Sequence, residues 1–579
     1  MFRSGRARGK GKGKDNGARL AAVCCLLAMA ALALAGYGTP QSSAPGPGAS
    51  AAPLGDVGTG TTAWSGLISR SLGVTMEWKT TDLNEDYDPA QAVVVQLQGD
   101  RISVSGGSGT GGVGSGATGT GATVGAEAVG STLRITAAGT YLISGQLHNG
   151  QILVDAAGDD KVHLVLDGVT VANDHTAPLY VINADKTIIT LAAGTVNTFT
   201  DTANYKLEAD DDDPKGPVYS KDDLTINGTG TLVVEGNYRH GIVSKDNLKI
   251  INATIVVTAV HHGVKGNDMV AIRNANLTIR AGEDGIHSHE PGVGFIYIES
   301  GTIDIVAGED GMQAETTLVI VDGEINIVTG GGSSVSPKRV QEGGPGGQGG
   351  GRRPGAMPGG VTPATPTTPT TPTTTTATTV GSYKGLKSRS EIIIHDGRIA
   401  VDSRDDSIHA DDAITINAGT ITVSTGDDGI HADQSIVING GSITVLECFE
   451  GIESSSVTIN GGDIRIRARD DGINGANRKM GGAAGGAAQG PGQAPGGFGG
   501  GMAAGVHKLF INGGYIFVDA DGDGIDVNGT ITMTGGFVVV NGPLSQNNGA
   551  LDFDAGFIIS GGTIVASGSS GMAQAPSSA

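Results

Sequence analysis

One short phrase, an acid followed by Gly or Ser and then Ile, recurs at a fixed interval along this chain. It reads Asp405-Asp406-Ser407-Ile408-His409, Asp427-Asp428-Gly429-Ile430-His431 and Phe449-Glu450-Gly451-Ile452-Glu453, with the Gly or Ser at 407, 429 and 451, a spacing of 22. Upstream it returns as His240-Gly241-Ile242, His262-Gly263-Val264, Asp284-Gly285-Ile286 and Asp310-Gly311-Met312, and downstream as Asp471-Gly472-Ile473 and Asp523-Gly524-Ile525. Self-similarity at a period of this length marks a stacked-repeat architecture.

Within one period lie two further alternating runs joined by a small turn, such as Ile436-Val437-Ile438, Asn439-Gly440-Gly441 and Ile443-Thr444-Val445. Together with the marker phrase they make three period-2 strands separated by Gly, Asn and Asp. One coil of three short strands cannot bury its apolar face alone, whereas stacked coils close a continuous core. The pattern predicts an all-β, right-handed parallel β-helix with three sheets and about 22 residues per coil. Propeller blades need about 40 residues, leucine-rich repeats need a Leu ladder, and the calcium nonapeptide repeat is missing.

The expected organisation follows the composition. Residues 1–35 read as a signal peptide, because seven cations between Arg3 and Arg19 precede the apolar stretch Leu20 to Ala35. An uncleaved anchor is the alternative, and either one places the protein outside the cell or on its surface. Residues 36–74 read as a flexible tether, and 75–144 as N-terminal strands and a cap around a Gly-rich loop at 105–121. The β-helix spans 145–567, interrupted by low-complexity loops 330–381 and 476–505, and 568–579 reads as a disordered tail. From Gly311 to Gly385 is 74 residues, 52 more than one period, and 330–381 is 52 residues long. Deleting that Pro-Thr-rich segment restores the register, which predicts a loop extruded from one solenoid. Once the leader and its Cys24 and Cys25 are removed, Cys448 is the single cysteine, so no disulfide staples the fold.

Formal charge is -22, with no basic stripe, which argues against nucleic acid as a partner. Phosphate and hydride chemistry lack their Gly-rich fingerprints, so no nucleotide is expected, and no catalytic motif appears. What the repeats do provide is columns. In the marker strand Ile faces inward and the next residue outward. Just before the marker sits a corner column of acids: Glu283, Asp284, Glu309, Asp310, Asp405, Asp406, Asp427, Asp428, Glu450, Asp470, Asp471 and Asp523. Coils about 4.8 Å apart make these carboxylates close neighbours, and a hard cation with several oxygen ligands relieves their repulsion. Calcium is the expected cofactor. Asp-Gly is also good turn chemistry, which would leave the acids pointing into water. Outward columns supply the candidate carbohydrate contacts Lys245, Lys265, His287, His409, His431 and Asp433, with the three histidines expected as a solvated ladder. Asp519-Ala520-Asp521-Gly522-Asp523-Gly524 imitates the start of an EF-hand loop but falls in repeat register, and reads as another coil.

Longer phrases carry a resemblance. Thr81-Asp82-Leu83, Gly139-Thr140-Tyr141-Leu142-Ile143-Ser144-Gly145, Val165-Leu166-Asp167-Gly168-Val169, Ser220-Lys221-Asp222-Asp223-Leu224-Thr225-Ile226-Asn227-Gly228 and Gly241-Ile242-Val243-Ser244-Lys245-Asp246 resemble the secreted carbohydrate-binding-domain β-helix proteins of bacteria, over roughly 80–570. The resemblance implies a pectate-lyase-like solenoid that holds calcium and binds cellulose and acidic sugars without established catalysis. Arg239-His240 and His261-His262 depart from that pattern by replacing corner acids, as does Tyr383-Lys384.

These readings favour an exported, non-catalytic binder of plant or bacterial polysaccharide, with acidic sugars such as polygalacturonate bridged through calcium. Cellulose would require exposed aromatics, for which Tyr180, Tyr205, Tyr219, Tyr238, Tyr297 and Tyr383 are the candidates. A calcium-dependent polysaccharide lyase is the alternative, and a structural cell-surface protein or adhesin is the second. The sequence leaves the sugar and the oligomeric state open.

Overall fold

The computed structural model describes residues 76–106, 125–206, 214–337, 381–476 and 506–578. The expected leader and tether, most of the 105–121 loop and nearly all of both low-complexity inserts lie outside these residues.

The predicted alternation is what forms the walls. Strand Ile430–Ala432 is buried at Ile430 and Ala432 with His431 between them, and the same three-residue strand recurs as Ile242–Ser244, Val264–Gly266, Ile286–Ser288, Ile408–Ala410 and Ile452–Ser454. These belong to a 16-stranded sheet that, apart from one terminal hairpin, pairs in parallel. Two further ladders carry longer strands, for example Ser435–Ile438 on Ser456–Ile459 and Thr420–Thr425 on Ser442–Cys448. Near the N-terminal end, strand Lys161–Ala172 pairs with strand Lys186–Leu191 in one ladder and with strand Val196–Thr200 in the other. The result is about 15 solenoid turns averaging about 24 residues, with the 22-residue spacing holding where no insertion intervenes.

Inside the prism runs one apolar column per wall. Ile286, Met312, Leu386, Ile408, Ile430, Ile452, Ile473 and Ile525 follow one another in register and are fully buried. Each such side chain withdraws on the order of 1.5–3 kcal/mol of apolar surface from water, and the stack shares one continuous core. The marker Gly has a steric cause. A Cβ at Gly451 would run into the carbonyl of Gly472 on the next coil and into Ile466 Cγ2. Ser407, the exception in the marker phrase, turns its hydroxyl to Ser403 Oγ at 3.0 Å.

Met312 pairs with Leu386 and Ile320 with Ile394, so the coils on either side of the first insert are direct neighbours. Strands Ser456–Ile459 and His507–Ile511 do the same across the second. A side-chain amide ladder runs up another corner: Asn439 donates to Asn417 at 2.8 Å, Asn460 to Asn439 at 2.8 Å and Asn512 to Asn460 at 2.9 Å. Equal coil spacing brings each amide within reach of the next.

An N-terminal strap adds a cross-coil staple. Asp82, fully buried in the helical turn Thr80–Leu83, binds Lys186 at 2.5 Å and Lys249 at 2.7 Å from two different coils. Burial works against its ionisation, but the two ammonium groups outweigh that and hold its carboxyl below the usual range. Residues 568–578, expected as a disordered tail, are instead placed against the last coils. Ser577 N–H donates to Phe557 O at 2.7 Å and Ile559 N–H to Ser578 O at 2.9 Å. The reason is the open edge of strand Gly556–Ile559, the last of its ladder, whose unpaired backbone groups need partners.

Candidate functional site: the corner column and its histidines

The corner acids form a vertical series, as the period requires, but they are neither solvated nor simply clustered. At five corners the acid just before the marker turns along the wall and caps the next coil. Asp284 Oδ1 accepts the N–H of Asp310 at 3.0 Å, Asp310 Oδ1 that of Lys384 at 2.7 Å, Asp406 Oδ1 that of Asp428 at 3.1 Å, and Asp471 Oδ1 that of Asp523 at 2.7 Å. Asp523 repeats the pattern with Gly549 N–H at 2.5 Å. A bend between strands leaves these N–H groups outside the sheet ladder, and a carboxylate supplies the missing acceptor. Asp284, Asp310, Asp406, Asp428, Glu450 and Asp470 are accordingly buried. The reading of these acids as turn residues directed into water is corrected on that geometry.

The second oxygen finds a partner three residues on. His287 Nδ1 lies 2.5 Å from Asp284 Oδ2, His409 Nδ1 2.9 Å from Asp406 Oδ2 and His431 Nδ1 3.2 Å from Asp428 Oδ2. These imidazoles, expected as a solvated ladder, are therefore packed into the wall, with His287 only 8% exposed. The alternation that points them outward also aims them at the corner carboxylate of their own coil. Asp433 is buried beside His431 Nε2 at 3.4 Å. Lys245 and Lys265 are half-buried.

Charge balance differs from corner to corner. At Asp310 the Lys387 ammonium sits 2.7 Å from Oδ2, and Lys384 meets Asp406 at 2.5 Å and Asp405 at 3.1 Å. There the lysines supply the positive charge that a bound cation would otherwise bring. Asp427 completes a group with Asp405 and Asp406 whose ligand atoms lie within 4.8 Å of one another. Burial opposes ionisation of Asp406, yet Lys384 and the two histidines hold its carboxyl well below the usual range, and the acids in turn raise His409 and His431.

Near the C-terminal end no lysine among the described residues pairs with the corner acids. Asp471, Asp523 and Asp526 also converge within 4.8 Å. Burial and mutual repulsion push Asp471 up to about 9, Asp526 to about 7 and Asp523 to about 6. Asp526, an outward-column residue, completes this group although the corner pattern alone did not single it out. The neighbouring Asp519 and Asp521 bind Arg467 at 3.2 and 3.1 Å, and strand Tyr515–Ala520 stays in coil register with strand Asp463–Ala468. The EF-hand imitation is thus a coil corner, as read.

On the N-terminal coils histidines take the corner. His240 stacks on His262 at 4.9 Å between ring centres, and His262 on His287 at 4.3 Å. Burial first, then neighbouring cationic groups, lowers His262 to about 2 and His287 to about 3, while Lys265 falls to about 8 and Asp284 rises to about 7. Glu283 reaches His261 Nδ1 at 2.6 Å. Glu309 stays half-buried. Glu450 accepts from Asn474 at 2.8 Å. Among the aromatic candidates Tyr219 and Tyr297 are buried, and Tyr205 stacks on Tyr238 at 4.2 Å, so these four form no open planar platform.

A family profile described as "Carbohydrate-binding domain-containing protein" matches residues 129–429. A protein of the same description from Acetivibrio thermocellus is 41% identical over 203 residues, covering 34% of this chain and 71% of its own. A solved structure, described as the polysaccharide lyase-like protein from C. thermocellum in a gadolinium derivative, is similar with a TM-score of 0.38. It shows 34% identity over 42% of this chain and 92% of that one.

Proposed function

This chain belongs to the carbohydrate-binding domain-containing protein family, and on that premise we propose that it is an exported, non-catalytic binder of acidic polysaccharide that uses calcium as the bridge. The supporting observation is the convergence of Asp471, Asp523 and Asp526 within 4.8 Å. Three carboxyl groups, two of them held by backbone hydrogen bonds and all with ionisation opposed by burial and neighbouring acids, present oxygen donors suited to a hard divalent ion. A dication there would cancel most of the local negative charge and keep coordination positions open to a uronate carboxylate, which an acidic surface alone repels. Asp470 and Asp552 are further carboxylates whose charge acts on this group.

A calcium-dependent lyase is the second reading, and one observation favours it: burial, followed by Lys215, lowers the Lys265 ammonium to about 8, within reach of general-base chemistry at neutral pH. A polygalacturonate column separates the two. The binder retains the polymer in calcium, releases it in chelator and generates no unsaturated product over many hours. Calcium-dependent growth of ultraviolet absorbance from unsaturated product, abolished by Lys265→Ala while binding survives, would establish the lyase instead. A protein that passes through the column unretained in calcium is neither.

A further inference from the structure

We propose that His262, Asp284 and His287 form a binding site for a divalent transition ion of the Zn²⁺ class, separate from the oxygen-only acidic group at the other end of the solenoid. The two imidazoles and the carboxylate each offer one ligand atom, and these atoms lie within 4.8 Å of one another. Asp284 Oδ2 is the point of convergence, 2.5 Å from His287 Nδ1 and 3.3 Å from His262 Nδ1. Tetrahedral zinc with bonds of 2.0–2.1 Å separates its ligand atoms by about 3.3 Å, so displacements of under about 1 Å open the group to a metal.

The hydrogen bonds around it set the nitrogen lone pairs. His262 Nδ1 accepts the backbone N–H of Asp284 at 3.3 Å, which marks it as the unprotonated nitrogen, and its single lone pair turns from that N–H to the ion on binding. Two acceptors in contact require a proton or a cation between them. The opposite nitrogen, Nε2, faces Glu283 Oε2 at 3.5 Å, the outer carboxylate that orients ligand histidines in metal sites. Asp284 is held in place because its other oxygen takes the N–H of Asp310. Ring stacking fixes His262 between His240 and His287, and among the described residues the buried Nδ1 of His240 has no hydrogen-bond partner. Two nitrogen donors select zinc, nickel, cobalt or copper over calcium.

The test uses untagged full-length protein carrying His409→Ala and His431→Ala, stripped with chelator and titrated calorimetrically with Zn²⁺ in excess Ca²⁺. One Zn²⁺ equivalent is expected. His262→Ala removes it, and Asp284→Asn, which keeps an acceptor for Asp310 N–H, weakens it at least tenfold. Lys265 pairs with His287 on the adjacent coil, so Lys265→Met, which alters no ligand, tightens it. Cobalt loading gives the visible absorption of a nitrogen-ligated ion that Zn²⁺ displaces and Ca²⁺ does not. No zinc bound in excess calcium, zinc affinity unchanged by His262→Ala, or zinc affinity unchanged or weakened by Lys265→Met overturns the assignment. These readouts involve no glycan, so they stand or fall apart from the polysaccharide reading.

Discussion

Asp406 Oδ1 accepts the backbone N–H of Asp428, 22 residues later and one coil up, at 3.1 Å. The same carboxylate meets Lys384 and His409 through Oδ2, so one side chain ties three successive coils together. Asp406→Ala removes the acceptor and leaves a mostly buried ammonium without its nearest counter-charge. The expected loss is about 3–5 kcal/mol, read as a lower denaturant midpoint. A loss below 1 kcal/mol would show that water replaces these bonds at no cost.

Asp82 makes a parallel case outside the repeat. Removing its carboxylate with Asp82→Ala leaves the buried Lys186 and Lys249 without their nearest counter-charge, again at about 3–5 kcal/mol. Hydrogen exchange should quicken first in strands Lys186–Leu191 and Asn247–Ile251, because solenoid coils depend chiefly on their neighbours. Uniform acceleration along the stack would argue against a local staple.

Gly451 tests the marker phrase. Gly451→Ala places a Cβ against the carbonyl of Gly472, and overpacking of this kind costs about 1–3 kcal/mol. Ser407→Gly, at the equivalent position, should cost less. A melting temperature unchanged by Gly451→Ala would mean that coil spacing adapts freely.

The Asp471 group predicts how calcium and pH interact. A carboxyl with a raised folded value is protonated in the native chain while the unfolded chain is already ionised. Stability contributed by that proton is complete below the ordinary carboxylate value of about 4 and is lost as pH rises toward the folded value of about 9. His409 and His431, also raised, lose their contribution as pH rises past the ordinary imidazole value of about 6.5. In chelator the melting temperature should therefore fall from pH 6.5 to pH 9. Calcium should reverse most of that fall, by about 2.7 kcal/mol at a hundredfold excess over its Kd, and Asp471→Asn with Asp523→Asn should blunt the response. Superimposable melts with and without chelator across this range would remove calcium from the account.

Deleting 338–380 should leave a single cooperative transition at nearly the same temperature. Strands Met312–Ala314 and Leu386–Ser388 pair directly, and loop closure grows only with the logarithm of length. Two separated transitions in the intact protein would contradict one continuous solenoid.

The sequence by itself determined the solenoid, because a 22-residue period with alternation at Ile408, Ile430 and Ile452 admits one way of burying those residues. It also determined which residues share a column, since that follows from counting. Only the tertiary structure decided which way corner side chains turn. Asp284, Asp406 and Asp471 point along the wall because the N–H groups of Asp310, Asp428 and Asp523 need acceptors, and those partners lie 22 to 52 residues away. Lys384 and Lys387 neutralise two corners, whereas no lysine among the described residues pairs with the Asp471 group. Asp284 and His287 meet through local spacing, but only stacking brings His262 from the preceding coil against them.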